Sequence, residues 1–329
     1  MNTHSHFQNK SVLVTGGTGT FGRAFVAKLL GETEARRIIV LSRDELKQSE
    51  MERSIPDPEA RLRFFLGDIR DLARLERAFE DVDIVVHAAA LKQVPAIEYN
   101  PSEAIKTNVV GTQNVIDAAL KCNVDKVLLV SSDKAVNPIN LYGATKMCAE
   151  KLTVAANAYR GSKRRTKFSV VRYGNVLGSR GSLLEVIRHQ RASGTITLTD
   201  ERMTRFWITV DSVMERVFES IAHMEGGETF IPKMQSVRVS DVISILAPGC
   251  QVKIIGIRPS EKLHDVLITE YEARRTRDAG TVYVIKPEYG WPDDKWLAGK
   301  PGLPADFAYV SDHADFLLDA EAAGKILPR

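Results

Sequence analysis

Two hydroxyls, an acid and an amine stand in a row at Ser131, Ser132, Asp133 and Lys134, and a phenol and a second amine follow at Tyr142 and Lys146. On a helix, the i, i+4 spacing of Tyr142 and Lys146 puts both groups on one face, about one turn apart. A cation beside a phenol lowers its pKa from the usual ~10 and lets it act as a base, so the spacing predicts that Lys146 activates Tyr142. Taken alone, YxxxK is common on solvated helices. Preceded within a few residues by strand-end hydroxyls and an acid–amine pair, it marks a catalytic set of Asp133, Lys134, Tyr142, Lys146 and Ser132.

The elements needed to position that set can be read around it. Val127–Val130 is a short apolar run rich in β-branched residues, which predicts a buried strand. Open parallel sheets bind ligands outside the carboxyl ends of their strands, where the catalytic set would lie. Upstream, Ser11–Val14 predicts a strand running into TGGTGTFG, residues 15–22, and then a helix with Phe21, Phe25, Leu29 and Leu30 on one side. Strand, glycine turn and helix in that order predict dinucleotide binding. Gly16 would allow the tight turn, Gly19 the approach of a pyrophosphate, and Gly22 close helix–strand packing, with the helix N-terminus facing the phosphates.

The second strand, Arg37–Leu41, ends in Ser42 and Arg43 with Lys47 a turn later, where an NAD site would carry an acid for the ribose 2′-hydroxyl. A guanidinium suits a 2′-phosphate, so NADP is expected rather than NAD, with Asp44 and Glu45 close by. Leu62–Leu66 predicts a third strand, followed by Asp68 as an adenine contact and Ile69. Asp83–His87 predicts a fourth, followed by Ala88, Ala89 and Ala90, whose small side chains admit a cofactor. His87 reads as a packed strand end, and Lys92 as facing the crevice. A single long helix over 102–121 would bring Thr107 and Asn108 to the same region. Another follows to about Tyr159, then a strand over Phe168–Arg172 and the run Tyr173–Gly178.

Strands alternating with helices define an α/β fold, a Rossmann-type doubly wound parallel sheet with a smaller C-terminal α/β substrate-binding lobe. The expected division is a dinucleotide-binding domain over 10–177, with about 205–232 packing back on it, and a lobe over 178–204 and 233–329. Residues 1–9 are expected to be a flexible leader, and the last forty residues a cap. Arg180, Arg205 and Arg258, with Glu261 and Lys262, are read as loop side chains suited to an acidic ligand with a diphosphate.

The totals exclude several classes. In 329 residues, 45 basic side chains nearly balance 42 acidic ones for a net charge of +3, which gives no reason to expect a nucleic-acid partner. Cys122, Cys148 and Cys250 lack CxxC spacing and read as reduced packing residues of a cytoplasmic protein. No apolar segment approaches the ~20 residues that a membrane helix requires.

TGGTGTFG, DIVVHAAA, YGATK and RYGNVLG together resemble the extended short-chain dehydrogenase/reductase family. The longer passages SSDKAVNPINLYGATK, HAAALKQVPAIEYNP, SRDELKQSEM, RMTRFWI and IGIRPSEKLHDV resemble its inverting UDP-N-acetylglucosamine 4,6-dehydratase branch, which opens pseudaminic acid biosynthesis. Many members of that branch carry Thr where this chain has Ser132. Residues and resemblance together assign the cofactor to Gly16, Thr18, Gly19, Thr20, Phe21, Gly22, Ser42, Arg43, Lys47, Asp68, Ile69, Ala88, Ala89, Ala90, Lys92, Thr107, Tyr142, Lys146, Tyr173 and Val176. They assign UDP-N-acetylglucosamine to Lys92, Asn175, Arg180, Arg205, Arg258 and Glu261.

The resemblance also implies a homo-oligomer, dimer or hexamer, with no nucleic-acid or membrane partner. It implies that Tyr142 takes the C4 hydroxyl proton while Ser132 holds the same oxygen. Lys134, kept partly neutral by burial, would take the C5 proton, and Asp133, its pKa raised, would protonate the departing C6 hydroxyl. A C5-retaining dehydratase, a UDP-sugar 4-epimerase and a non-catalytic NADP-sensing protein are the alternatives.

Overall fold

The computed structural model describes residues 3–159, 161, 165–179, 182–257, 260–288 and 295–327. Five strands lead up to the Asp133–Lys146 stretch: β1 (Ser11–Thr15), β2 (Arg37–Ser42), β3 (Leu62–Leu66), β4 (Ile84–His87) and β5 (Lys126–Ser132). Beyond it lie β6 (Lys167–Tyr173), β7 (Asn175–Val176), β8 (Thr195–Leu198), β9 (Thr204–Ile208) and β10 (Thr229–Pro232). The last six are β11 (Gln235–Arg238), β12 (Gln251–Ile254), β13 (Val266–Ile268), β14 (Thr276–Asp278), β15 (Val282–Ile285) and β16 (Tyr309–Val310).

The main sheet has nine strands in the order β14-β15-β10-β6-β5-β4-β1-β2-β3. From β3 to β10 every pairing is parallel, and the chain reverses direction only at β15 and β14. Chain order turns back between β1 and β4, the topological switch point where such sheets open a ligand crevice. β1 is buried at every residue, as is all of β2 beyond its first, because helices cover both faces. The helix Thr20–Glu32 buries Phe25 and Leu29 completely, each worth about 1.5–3 kcal/mol.

The leader is not loose. Thr3–Phe7 forms a 3₁₀ turn, and Phe7 is fully buried 4.5 Å from the Phe218 ring. One aromatic side chain in an otherwise polar segment is enough to seat it on the helix Val210–His223. That helix packs against Thr20–Glu32 and leads into β10. β9 does not join the main sheet; it lies between β7 and β11 in a sheet of three. Conversely β14 and β15, expected in the lobe, extend the main sheet along β10, because Val282–Ile285 is wholly apolar or aromatic and buried at every residue.

The helix expected over 102–121 is also interrupted. Pro101–Ala104 and Gly111–Lys121 are α-helical, and Ile105–Val110 between them is a π-helical turn. The wider turn buries Thr107 and Asn108 towards the sheet. At the far end, Tyr309 is 1% exposed and its hydroxyl both donates to the carbonyl of Met234 and accepts from its amide, at 2.6 Å each. The C-terminal segment is thereby fastened to the lobe. Among the described residues no helix is long and apolar enough to cross a membrane, and no group of acidic, His and Cys side chains could hold a metal.

Candidate active site

A cavity of about 990 Å³ runs along the carboxyl ends of β1, β2, β4, β5 and β6, from the glycine turn to the catalytic stretch. Gly16 sits at φ +67°, and a Cβ there would come within 2.8 Å of the Ala89 Cα, so only glycine lets the turn close against the end of β4. A Cβ on Gly22 would collide with Gly17, so Gly22 serves packing of the helix on the turn itself rather than on a strand. The helix Thr20–Glu32 begins at Gly19 with no side-chain cap, which leaves its first N–H groups facing the cavity end. Two buried hydroxyls that line the cavity, those of Thr107 and Ser131, have no hydrogen-bond partner among the described residues. A dinucleotide fits this site: backbone donors for phosphates, a closed glycine turn, and orphaned hydroxyls where it would lie.

Of the residues assigned to the cofactor, all but Gly22 line the cavity. Arg43 is half exposed with its guanidinium 3.6 Å from Asp68, and Lys47 pairs with Asp44 at 2.7 Å. Asp68 is bound closely by Arg70 at 2.7 Å. His87 is 2% exposed, its ring nitrogens contacting the hydroxyls of Thr15 and Thr112 at 2.7 and 3.1 Å. Burial holds its pKa down to about 3, so it stays neutral and structural, as its position at a strand end predicts.

At the end of β5, the Ser132 hydroxyl donates to Asp133 at 2.8 Å, and the Lys134 ammonium donates to both Asp133 oxygens at 2.9 and 3.2 Å. Asp133 is 1% exposed, while a third of the Lys134 side chain opens to the cavity. Burial opposes the Asp133 charge, yet Lys134 and Ser132 overcome it and hold the carboxyl below its ordinary range. Burial likewise opposes the Lys134 charge, and Asp133 with Asp265 overcomes it and raises the amine. The balance of charges therefore favours the ionised pair, the reverse of the neutral base and raised acid expected from burial alone.

Tyr142 also departs from expectation. Burial raises its pKa, and the groups that pull it back are Lys134 and the Ser132 hydroxyl, not Lys146. The Lys146 ammonium is spent on the carbonyl of Val130 at 2.6 Å, and burial, opposed by Glu150, brings its own pKa down to about 8. Spacing put the two on one face, but the strand-end carbonyl captured the amine.

Gly143 was not singled out by its sequence context, yet a Cβ there would run into the carbonyl oxygen of Lys134 and stand 3.0 Å from the Pro138 Cβ. The helix Leu141–Tyr159 lies directly on the catalytic turn because position 143 has no side chain. Gly143→Ala is expected to cost about 1–3 kcal/mol of stability and to lower kcat at least ~10-fold as the turn is displaced. Thermal unfolding together with steady-state rates checks this; unchanged values in both would refute it.

The lobe closes the site from the other side. Lys262 donates to the carbonyl of Val136, and Asn140 donates to that of Ser260 at 3.0 Å, so the segment from Ser260 wraps the catalytic turn. Asn175 lines the cavity and donates to Asp265 at 3.0 Å. Asp265, 3% exposed, is a carboxyl that sequence reading missed; burial and Asp133 push its pKa up to about 6. Arg205 lies on β9 rather than in a loop, and its guanidinium donates to the carbonyls of Thr204, Lys262 and Leu263. It braces the segment carrying Asp265 and contributes positive charge beside the pair. Glu261 accepts from Thr199 at 3.3 Å, 3.8 Å from Arg205. Arg180 and Arg258 lie outside the described residues.

Residues 12–287 match the family of polysaccharide biosynthesis proteins. A Campylobacter jejuni protein named UDP-N-acetylglucosamine 4,6-dehydratase (inverting) is 48% identical over 93% of this chain and 94% of its own. The solved structure of Pen from Bacillus thuringiensis superposes with a TM-score of 0.89 at 34% identity, covering 97% of each chain. That of DesIV, a dTDP-glucose 4,6-dehydratase from Streptomyces venezuelae solved with NAD bound, gives 0.67 at 25% identity over 77% of this chain and 86% of its own.

Proposed function

The chain belongs to the polysaccharide biosynthesis family of extended short-chain dehydrogenase/reductases, and from that premise we propose that it is a 4,6-dehydratase of UDP-N-acetylglucosamine that inverts C5 and uses NADP. The observation that carries the reading is the Asp133–Lys134 pair beside Tyr142, because removing water between C5 and C6 needs an acid and a base there, whereas a 4-epimerase needs only the group that takes and returns the C4 hydroxyl proton.

The chemistry that a bound nicotinamide supplies is reversible storage of the hydride from C4. Tyr142 takes the C4 hydroxyl proton and Ser132 holds the same oxygen. Loss of that proton and the hydride leaves a C4 ketone, which acidifies C5. The acid and base are then made from one event: a proton crossing the 2.9 Å from Lys134 to Asp133 converts the ion pair into a neutral amine and a neutral carboxylic acid. A sugar that fills the cavity removes water from around the pair and so favours the uncharged form. Lys134 then takes the C5 proton, and Asp133 protonates the C6 hydroxyl as it leaves. The product is the 4-keto-6-deoxy sugar of L-arabino configuration at the entry to pseudaminic acid biosynthesis, made by a homo-oligomer.

The test is proton NMR of UDP-N-acetylglucosamine incubated with the protein and NADP in deuterated water. A 4-keto-6-deoxy product with L-arabino coupling and deuterium at C5 is expected. A product isobaric with substrate would make the protein an epimerase, and cofactor binding without conversion would make it a sensor.

NADP preference rests on Arg43 and Lys47, which flank the end of β2 where an acid would hold a 2′-hydroxyl. A 2′-phosphate would draw Arg43 from Asp68 into a charge-assisted hydrogen bond worth about 1.5–3 kcal/mol. Arg43→Gln is therefore expected to weaken NADP ~10-fold or more with little effect on NAD, as measured by titration of each dinucleotide. Equal affinity of the unaltered protein for both would overturn the preference.

A further inference from the structure

Inversion at C5 poses a requirement that Asp133 and Lys134 do not meet together. A proton leaves C5 on one face and another must arrive on the opposite face, and one side chain on a short turn addresses only one of them. Resting on the dehydratase reading above, we propose that Lys92 is the second acid–base group, delivering the proton to C5 on the face opposite Lys134.

Lys92 lines the same cavity as Lys134, Ser132 and Tyr142 but comes from a different element, the segment after β4 rather than the turn after β5. The residue before it, Leu91, is held at both of its backbone polar groups. Asn108, 2% exposed in the π-helical turn, accepts from the Leu91 amide at 2.8 Å and donates to the Leu91 carbonyl at 2.9 Å. The same amide group donates to the Thr145 hydroxyl at 3.0 Å, next to Lys146 on the catalytic helix. The π turn thus points its one buried amide at the residue preceding Lys92 and ties that residue to the helix that carries Tyr142. A surface lysine with no task has no need of such an anchor, whereas a proton donor must be placed within a fraction of an ångström.

The electrostatics agree with the geometry. The cavity walls around the Lys92 ammonium and the charge of Lys134 lower its pKa, with Glu185 opposing, which makes it a readier proton donor than a free lysine. The residue is open to solvent along part of its length, so it can recover a proton between turnovers. The proton count closes. The C5–H bond breaks towards Lys134, its electron pair forms C5=C6, and the C6–O bond breaks as Asp133 supplies the proton of the departing water. After C6 receives the hydride that left C4, the electron pair returned to C5 takes a proton from the Lys92 ammonium. Tyr142 and Lys134 each gain a proton and Asp133 and Lys92 each lose one. The site resets when Lys134 hands its proton to Asp133, and Tyr142 and Lys92 equilibrate with solvent.

Lys92→Met and Lys92→Arg test this beside the unaltered protein, in deuterated water, with two readouts. The first is the C5 configuration of the product from UDP-N-acetylglucosamine. The second is exchange of C5 hydrogen in the purified L-arabino ketone, which needs no redox step. By microscopic reversibility the group that delivers that proton also removes it. For Lys92→Met, exchange at saturating ketone is expected to fall about 10²–10⁴-fold, beyond any loss of ketone affinity, with any turnover yielding the D-xylo product or an unsaturated ketone. Lys92→Arg, which keeps the charge but not the acidity, is expected to behave like Met in exchange while binding like the unaltered protein. L-arabino product with exchange within tenfold of the unaltered protein would overturn the proposal, as would a loss confined to ketone affinity. If the unaltered protein itself removes no water, the dehydratase reading has failed, and the stereochemical inference with it.

Discussion

Lys134→Met is expected to lower the rate of water loss by about 10²–10⁴-fold without unfolding the chain. The substitution deletes the base of the proposed mechanism, and it also changes its neighbour. Asp133 is 1% exposed and keeps its charge only because Lys134 and Ser132 overcome the cost of burial. Without the ammonium that balance reverses, and the carboxyl rises and takes up a proton. The variant then holds an acid with no base. Asp133→Asn is the complement: Lys134 loses the partner that raises it, and the site holds a base with no acid. The two variants are expected to fail at the same step, neither compensating the other, because both roles arise from one shared proton. Rates of ketone formation and of deuterium entry at C5, measured for each and for the double variant, check this. A Lys134→Met protein that removes water within tenfold of the unaltered rate would show that the pair is not the acid–base set.

Arg172→Met is expected to cost about 3–5 kcal/mol of stability, more than Gly143→Ala does. Arg172 is 4% exposed and donates to Glu150 at 2.6 and 3.0 Å, to Glu272 at 3.1 Å and to the carbonyl of Leu267 at 2.8 Å. Burial opposes its charge, but the two carboxylates outweigh burial and raise its pKa further. One guanidinium thereby ties the catalytic helix, through Glu150, to the sheet and to the lobe segment that ends the wrap around the active site. Removing it leaves two carboxylates in the interior with no cation, which is costlier than the pair was ever worth. Arg172→Met combined with Glu150→Gln and Glu272→Gln is expected to recover much of the loss. Urea unfolding of the single and triple variants decides the matter. A single variant within about 1 kcal/mol of the unaltered protein would mean that the network adds nothing.

The two predictions differ in how much of their basis is visible in the chain. Asp133 and Lys134 are adjacent, and their place after an apolar strand marks them as site residues before any coordinates. The Glu150–Arg172–Glu272 network joins three elements, with Glu272 a hundred residues beyond Arg172; Arg172 ends a strand legible in the sequence, but nothing in the sequence shows which carboxylates meet it.

The amino-acid sequence by itself determined what depends on short range. Short apolar runs specify β1 to β6, the glycines specify a turn that only they can make, and small residues after β4 leave room at the carboxyl end of the sheet. Since the crevice of a parallel sheet opens at its carboxyl ends, the residues that follow those strands had to face it, which is why most of the residues lining the cavity there could be read in advance. What the tertiary structure alone decided depends on burial and on charges brought together from distant parts of the chain. The direction in which Asp133, Lys134 and Tyr142 shift, the capture of Lys146 by a strand-end carbonyl and the arrival of Asp265 beside the pair are of this kind. So are the carbonyls that Arg205 braces and the π turn that anchors Leu91 next to Lys92. A pKa is set by the balance between loss of solvent and the field of every nearby charge. Spacing along a helix supplies one of those distances, and the fold supplies the rest.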